Sequence, residues 1–540
     1  MTLVTEPPRA RTADALPGDR ALAPRPAWAG YEVRAWLRLV ALVVVAAASE
    51  LVYVGFWPLS YYLTQAPDFT YEYLVQYQAI WERMVPLLVR FDAAFPGGAR
   101  SLDFMTDALV RLFIAAFGLY LVGFTLVRAG LPRGWGTLAV VAPALAFQTT
   151  LFLMPGPFTT DLFSYAMYGH IAGAYGLNPF TTIPSAFPEV RILQWIHPIW
   201  HDAPSIYGPA WVDLTVGIGR AIAAWTDVDK ALAYKFIVNL FHLAGVAILA
   251  LTVQRLRPGR VLESVMLYAW NPLILFEFGG NGHNDAAMVA LMLLAVLLFA
   301  SRAAWLGVVM LGVSFLVKMS SVLLVPYYVI AWAREQRPLW RFFAVGVLAG
   351  GTLLVVVVAF YYPWWRGPET VAPIVKWSQG PMYLNYVPDI LAQRMARDQF
   401  LGPGAPSFEQ ALDEARATVK TAARILFVLY AIWELWWARG ARGLAASGAR
   451  VMLAFLLVMN TWVLPWYFTW PLALAVVAGW DTITGKVAVG FSISAPTVLY
   501  YHHFWHPYMS GLTYLLYLAP LALALVFGGI AAVRIGRAYV

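Results

Sequence analysis

Runs of about 17–25 apolar residues recur along the whole chain, and they decide what it can fold into. Examples occupy residues 38–57, 106–127, 137–153, 232–253 and 343–361. In helical form, such a run satisfies its own backbone hydrogen bonds and is long enough to cross a bilayer. The composition agrees: 61% of the 540 residues are hydrophobic and only 12% are charged, against about 25% charged in a soluble domain. The fold class is therefore an all-α polytopic membrane protein. There is no cysteine, which excludes a disulfide frame, a thiolate metal site and a cysteine nucleophile.

The net charge of +8 does not indicate nucleic-acid binding. Its arginines concentrate in the N-terminal tail and in short connections between apolar runs, as the positive-inside rule expects of cytoplasmic segments. Residues 1–34, rich in Pro, Ala and Arg, are expected to be a disordered cytoplasmic tail and not a signal peptide. Residues 35–540 form one integral membrane domain. Orienting the runs by their basic flanks gives about fourteen crossings with both termini cytoplasmic. Three long segments then fall outside, at about 58–103, 155–230 and 366–419. Residues 207–225 are apolar enough to cross, but a crossing there would leave Arg255, Arg257 and Arg260 outside. They are expected to be an interfacial or re-entrant helix. The run at 303–332 has basic flanks on both sides, so it should go in and return as two short helices with Lys318 near the turn.

With this topology the unusual polar residues share the outer face. They are Asp161, Tyr168, His170, Asn178, Tyr207, the turn Asn281–Asp285, Lys318, Trp466, Tyr467 and the histidines at 502, 503 and 506. Asp161 is either a functional carboxylate in an aromatic pocket or the cap of the helix that begins after Thr160. Asn284 and Asp285 either cap the next helix or contact a ligand. Lys318 either snorkels to the interface or faces an anion. Trp466 and Tyr467 fit an aromatic belt equally well. The three histidines lack an accompanying carboxylate and read as interface residues. No phosphate-binding loop, HExxH zinc motif or GxSxG elbow is present. One acid, one lysine and several Asn, His and Tyr groups suit a base that activates a hydroxyl and a cation that holds a phosphate leaving group.

The run TDLFSYAMYGHIAGAYGLNPF at 160–180 resembles the first catalytic outer loop of the GT-C superfamily, membrane glycosyltransferases that use polyprenyl-phosphate sugars. More narrowly, it is similar to bacterial polyprenol-phosphate-mannose-dependent alpha-1,6-mannosyltransferases. YGPAW at 207–211, NPLILFEFGGNGHND at 271–285, LVKMS at 316–320 and LPWYFTWP at 464–471 follow in the same order. The resemblance covers about 154–480. It implies a GT-C fold in a bacterial cell membrane and an inverting transfer on the extracytoplasmic face, from a polyprenyl-phosphate donor to a glycan or glycolipid hydroxyl. Asp161 would be the catalytic base, and Lys318 with His283 would hold the donor phosphate. Tyr168, His170, Asn178, Tyr207, Asn281, Asn284, Asp285, Trp466 and Tyr467 would contact sugar or acceptor. No cofactor is implied. The second acid that some GT-C enzymes carry is replaced by Leu162 and Phe163, so a required divalent metal is not favoured. The alternatives are the same fold with an arabinose or glucose donor, and a transporter or flippase of lipid-linked saccharides.

Overall fold

In the computed structural model, the described residues are 28–63, 102–154, 156–336, 338–378, 382–401, 407–504 and 511–538. The tail expected at 1–34 and the outer segment expected at 58–103 therefore lie mostly outside them. All regular structure among the described residues is helical, apart from one parallel bridge between Leu384 and Trp462.

The helices of nine residues or more are α1 (Trp28–Leu63), α2 (Leu102–Arg128), α3 (Trp135–Phe152), α4 (Asp161–Ala174), α5 (Pro209–Ala221) and α6 (Asp227–Leu256). They continue as α7 (Val261–Ala269), α8 (Asp285–Ala300), α9 (Ala304–Val317), α10 (Val325–Arg334) and α11 (Leu339–Tyr361). The last are α12 (Asp389–Phe400), α13 (Phe408–Glu434), α14 (Gly440–Ala454), α15 (Thr469–Gly479), α16 (Ile483–Phe504) and α17 (Gly511–Ala538).

Among the described residues, six helical stretches are long and apolar enough to cross a membrane: Glu32–Ser60, Phe104–Arg128, Trp135–Phe152, Asp227–Leu256, Leu339–Trp364 and Gly440–Met459. A seventh is formed if Pro258–Ala269 and Pro272–Gly280 are one span bent by 47°. Shorter apolar helices include α8 and α9, two of the places where the sequence sets further crossings. The split of 303–332 into two short helices at Lys318 is observed, as is a helix within 207–225.

The centre of the molecule is α15, in which every residue is buried, and it packs beside α14, α16 and α8. At the periphery α11 leaves Val347, Leu354 and Val355 exposed, a surface suited to lipid rather than water. The far end of the bundle is basic. Arg257 pairs with Asp481 at 2.6 Å, and Arg128 and Arg260 lie over the Trp480 ring.

Two apolar runs do not form single regular helices. The run at 261–278 is broken because Pro272 cannot continue a helix, and the Asn271 side chain accepts from the Leu273 and Ile274 amides to start a new one. That restart widens into a π-type turn over Leu275–Gly280, in which the Asn281 amide donates five residues back to Phe276 O. The helix that enters the apolar run 451–464 begins earlier, at Gly440, and its arginines have partners. Arg442 donates to Ala478 O, and Arg450 reaches the buried Glu434. It ends in a second widened turn, Phe455–Met459, and 460–464 runs on without helix. Widened turns of this kind concentrate at functional sites; the second leads into the wall of one cavity, and the first carries Glu277 and leads to the buried His283 behind that wall.

Candidate active site

That cavity holds about 570 Å3, within the range of small-ligand sites. Asp161 lies on its wall as the first residue of α4. The loop before it is tethered from both sides: Ser60 hydrogen-bonds Gly156, and the Phe158 amide donates to Asn281 Oδ1 at 2.8 Å. Thr160 is the N-cap, but its hydroxyl caps no amide of α4 and instead accepts from His197 N. Asp161 is thus not the helix cap, and its side chain remains 21% exposed. The positive end of α4 favours its ionised form.

Behind Asp161 lies a buried acid–histidine–acid chain. His283 Nδ1 is 3.3 Å from Asp161 Oδ2, and His283 Nε2 is 3.4 Å from Glu277 Oε2. The imidazole stacks on the Trp466 ring with centroids 3.9 Å apart. Glu277 is fully buried on the widened turn, where Asn281 Nδ2 donates to it at 2.8 Å and the Tyr500 hydroxyl at 2.8 Å. Gly282 closes the chain path with φ +76, a conformation that favours glycine, and a Cβ there would meet Leu162 at 3.1 Å. Burial pushes the Asp161 carboxyl up, but His283, Lys318 and Tyr207 outweigh it and hold the group below its usual value. Burial pushes His283 down, yet Asp161 and Glu277 outweigh that and raise it to about 9.

Lys318 supplies the cation. It stands between α9 and a short turn of helix, Met319–Leu324, and its Nζ lies 2.7 Å from Asp285 Oδ2. Asp285 is fully buried as the first residue of α8, and Trp470 Nε1 donates to its other oxygen at 2.5 Å. The ammonium also sits 4.9 Å from the Tyr467 ring centroid. One close approach sets its distance to Tyr207. Gly208, at the start of α5, is so near the end of α9 that a Cβ would lie 2.0 Å from Leu316 O.

Of the residues singled out in sequence, Asp161, Tyr207, Lys318, Trp466 and Tyr467 line the cavity. His283 is fully buried behind the carboxylate, which moves it away from the place expected beside a phosphate. Asn281 and Asp285 are also buried, and their side chains are spent on the contacts above. Asn284 is buried, and its amide N donates to the Tyr165 hydroxyl. Its side chain caps nothing on α8. Tyr168 is buried and donates to Ala203 O at 2.8 Å. Neither His170, packed on Tyr175, nor Asn178, which donates to Trp364 O at 2.7 Å, reaches the wall. His506 lies outside the described residues. Sequence reasoning missed Glu277, Tyr500 and Thr159, whose hydroxyl is 3.3 Å from His283 Nε2. The available signal was the acid of NPLILFEFGGNGHND, alone in an apolar run.

Residues 98–334 match a family model described as alpha-(1->6)-mannopyranosyltransferase, N-terminal domain. That stretch holds Asp161, Tyr207, Glu277, His283, Asp285 and Lys318. The chain resembles the alpha-(1->6)-mannopyranosyltransferases. One such relative is alpha-(1->6)-mannopyranosyltransferase A of Mycobacterium tuberculosis, 25% identical over 411 residues, or 69% of this chain and 74% of that protein. A probable alpha-(1->6)-mannopyranosyltransferase of Mycolicibacterium smegmatis is 24% identical over 63% of this chain and 65% of its own length. The Corynebacterium glutamicum mannopyranosyltransferase A is 23% identical over 57% and 64%. The mannopyranosyltransferase domain match ends at residue 334, so the cavity wall from Met382 onward lies beyond it.

Proposed function

We propose that this chain is an inverting, GT-C-type mannosyltransferase that moves mannose from a polyprenyl-phosphate carrier to a hydroxyl of a glycan or glycolipid. The observation that carries this reading is the sharing of one cavity by Asp161, an ionised and accessible carboxylate, and Lys318, a fixed cation. Asp161 takes the proton of the acceptor O–H as that oxygen bonds to the anomeric carbon. The bond from the anomeric carbon to the phosphate oxygen breaks, and its electron pair leaves with the polyprenyl phosphate. Lys318 stabilises the charge that develops there. Attack from the face opposite the phosphate turns a beta-linked donor into an alpha-linked product, in keeping with the linkage in the names of the relatives. His283 serves Asp161 from behind, with Glu277 holding the second ring nitrogen.

The distribution of charge supports the membrane sidedness of this reading. The cluster of Arg128, Arg257 and Arg260 lies at the opposite end of α6 from Lys235, whose ammonium donates to Leu151 O beside the cavity loop. The positive-inside rule assigns the basic end to the cytoplasm and the cavity to the extracytoplasmic face. The test is transfer from synthetic polyprenyl-phosphate-mannose to a short mannoside in nanodiscs, with and without EDTA. Wild type should form product and Asp161→Asn should lose about 10²–10⁴-fold, the usual worth of a general base. Full activity in Asp161→Asn would remove the base from this scheme. Preference for an arabinose- or glucose-bearing donor would change the sugar and keep the enzyme class.

A further inference from the structure

Beyond Asp161 and Lys318, the cavity has a second group of lining residues of a different chemistry. Trp200 and Trp462 stand with ring centroids 6.0 Å apart and planes 28° from parallel. These two near-parallel rings supply aromatic surface to the cavity wall. Asn385 and Asn460 line the same cavity. We propose that Trp200, Trp462, Asn385 and Asn460 form the subsite for a neutral hexose unit of the acceptor; the proposal rests on the transferase reading above.

The two amides are already oriented. Asn385 Nδ2 donates to Val463 O at 2.9 Å, and Asn460 Nδ2 donates to Trp462 O at 2.6 Å. Each therefore spends one of its two N–H donors on backbone, which fixes the amide and keeps its Oδ1 as an atom that accepts from a hydroxyl. Both anchors lie on the strand segment that carries Trp462, so the aromatic face and the two acceptors form one rigid unit. The segment is itself braced. Leu384 N donates to Thr461 O at 2.8 Å, and Val463 N donates to Leu384 O at 2.9 Å. Asn385 also adopts φ 56, a left-handed conformation that asparagine tolerates better than other non-glycine residues. Such strain persists where the surroundings over-determine it, often at ligand sites.

This combination selects a ligand class. The C–H face of a pyranose lies against an aromatic surface, while its hydroxyls donate to fixed carbonyl oxygens. Nothing in the group carries a charge to attract an anion. His197, on the same wall three residues before Trp200, is pushed toward its neutral form by burial and His201. The anionic part of the reaction is served by Lys318, so the second group suits an unphosphorylated sugar. Three of its four members, Asn385, Asn460 and Trp462, lie beyond the matched mannopyranosyltransferase domain, where a specificity for a particular acceptor can differ without disturbing Asp161 or Lys318.

The test uses the full chain in nanodiscs and an alpha-linked mannobiose as probe. Saturation-transfer NMR reports binding, and acceptor and donor KM are measured separately. Trp462→Ala and Asn460→Leu should each weaken mannobiose binding and raise acceptor KM about tenfold, with donor KM changed by less than about twofold. If Trp462→Ala fails to fold, Trp462→Phe, which keeps an aromatic face, is compared with Asn385→Leu; the first should stay within about threefold and the second should not. Unchanged acceptor KM in the folded variants overturns the subsite, as does a wild type that does not bind mannobiose or that prefers a phosphorylated mannoside. A wild type that binds mannobiose but transfers nothing from the lipid donor keeps the subsite and overturns the transferase reading.

Discussion

Asp161 Oδ2 and His283 Nδ1 lie 3.3 Å apart, and Glu277 Oε2 lies 3.4 Å from the other nitrogen of the same imidazole. A fully buried ring between two carboxylates keeps its proton far more firmly than a free histidine. The result is a cation held directly behind the carboxylate proposed as base, screened from the cavity by Trp466.

The sign of the resulting pH dependence follows. Burial lowers the His283 pKa, but the two carboxylates outweigh it and raise the group from 6.5 to about 9. A group with a raised folded-state pKa contributes stability that is fully present below the unfolded value and lost as pH rises through the folded one. Thermal stability in detergent should therefore fall between pH 6.5 and about 9. Glu277→Gln removes one of the two carboxylates, so the fall should be smaller and end at lower pH, and the alkaline limb of kcat/KM should move with it. Superimposable profiles for wild type and Glu277→Gln would separate Glu277 from His283.

The pairing of Lys318 with Asp285 allows a structural role to be divided from a chemical one. Removing one partner of a buried ion pair leaves an uncompensated charge, at a cost of about 3–5 kcal/mol. Lys318→Met alone should therefore lower both stability and activity. Adding Asp285→Asn should restore most of the melting temperature, since Trp470 Nε1 can still donate to the amide oxygen. It should not restore transfer, because no cation then faces the leaving phosphate. Recovery of activity along with stability in the double variant would show that Lys318 acts only through Asp285.

How much of this was legible in the sequence differs from one residue to the next. Helical class and membrane character follow from the apolar runs, and the hairpin at Lys318 follows from basic flanks on both sides of an overlong run. Asp161, Tyr207, Lys318, Trp466 and Tyr467 share a wall, as their common placement on one face suggests. Glu277 was not legible as a partner of His283. Their contact depends on a widened turn, and the six-residue spacing puts them together in no regular helix. Asn178 has the polar type of a ligand contact, yet it donates to Trp364 O, a carbonyl nearly two hundred positions away that periodicity cannot indicate. The pairing of Leu384 with Trp462 was equally hidden, because one bridge leaves no alternating pattern.

The position of Gly208 offers a test of how the site is assembled. Its Cα faces backbone, and an added Cβ would meet Leu316 O at 2.0 Å, a neighbour that cannot rotate away. Gly208→Ala must therefore push the start of α5 from the end of α9, and with it Tyr207 from Lys318. Overpacking of this kind costs about 1–3 kcal/mol. Gly217 lies on the same helix, and a Cβ added there would have nothing within 4 Å, so Gly217→Ala should be neutral or raise stability by about 0.5–1 kcal/mol. Thermal melts in detergent compare the two, and transfer assays at a temperature where both are folded ask about the site. Gly208→Ala should lose transfer while still folded, because its damage falls between Tyr207 and Lys318. Equal transfer by the two alanine variants would show that the spacing of α5 and α9 does not matter to the chemistry.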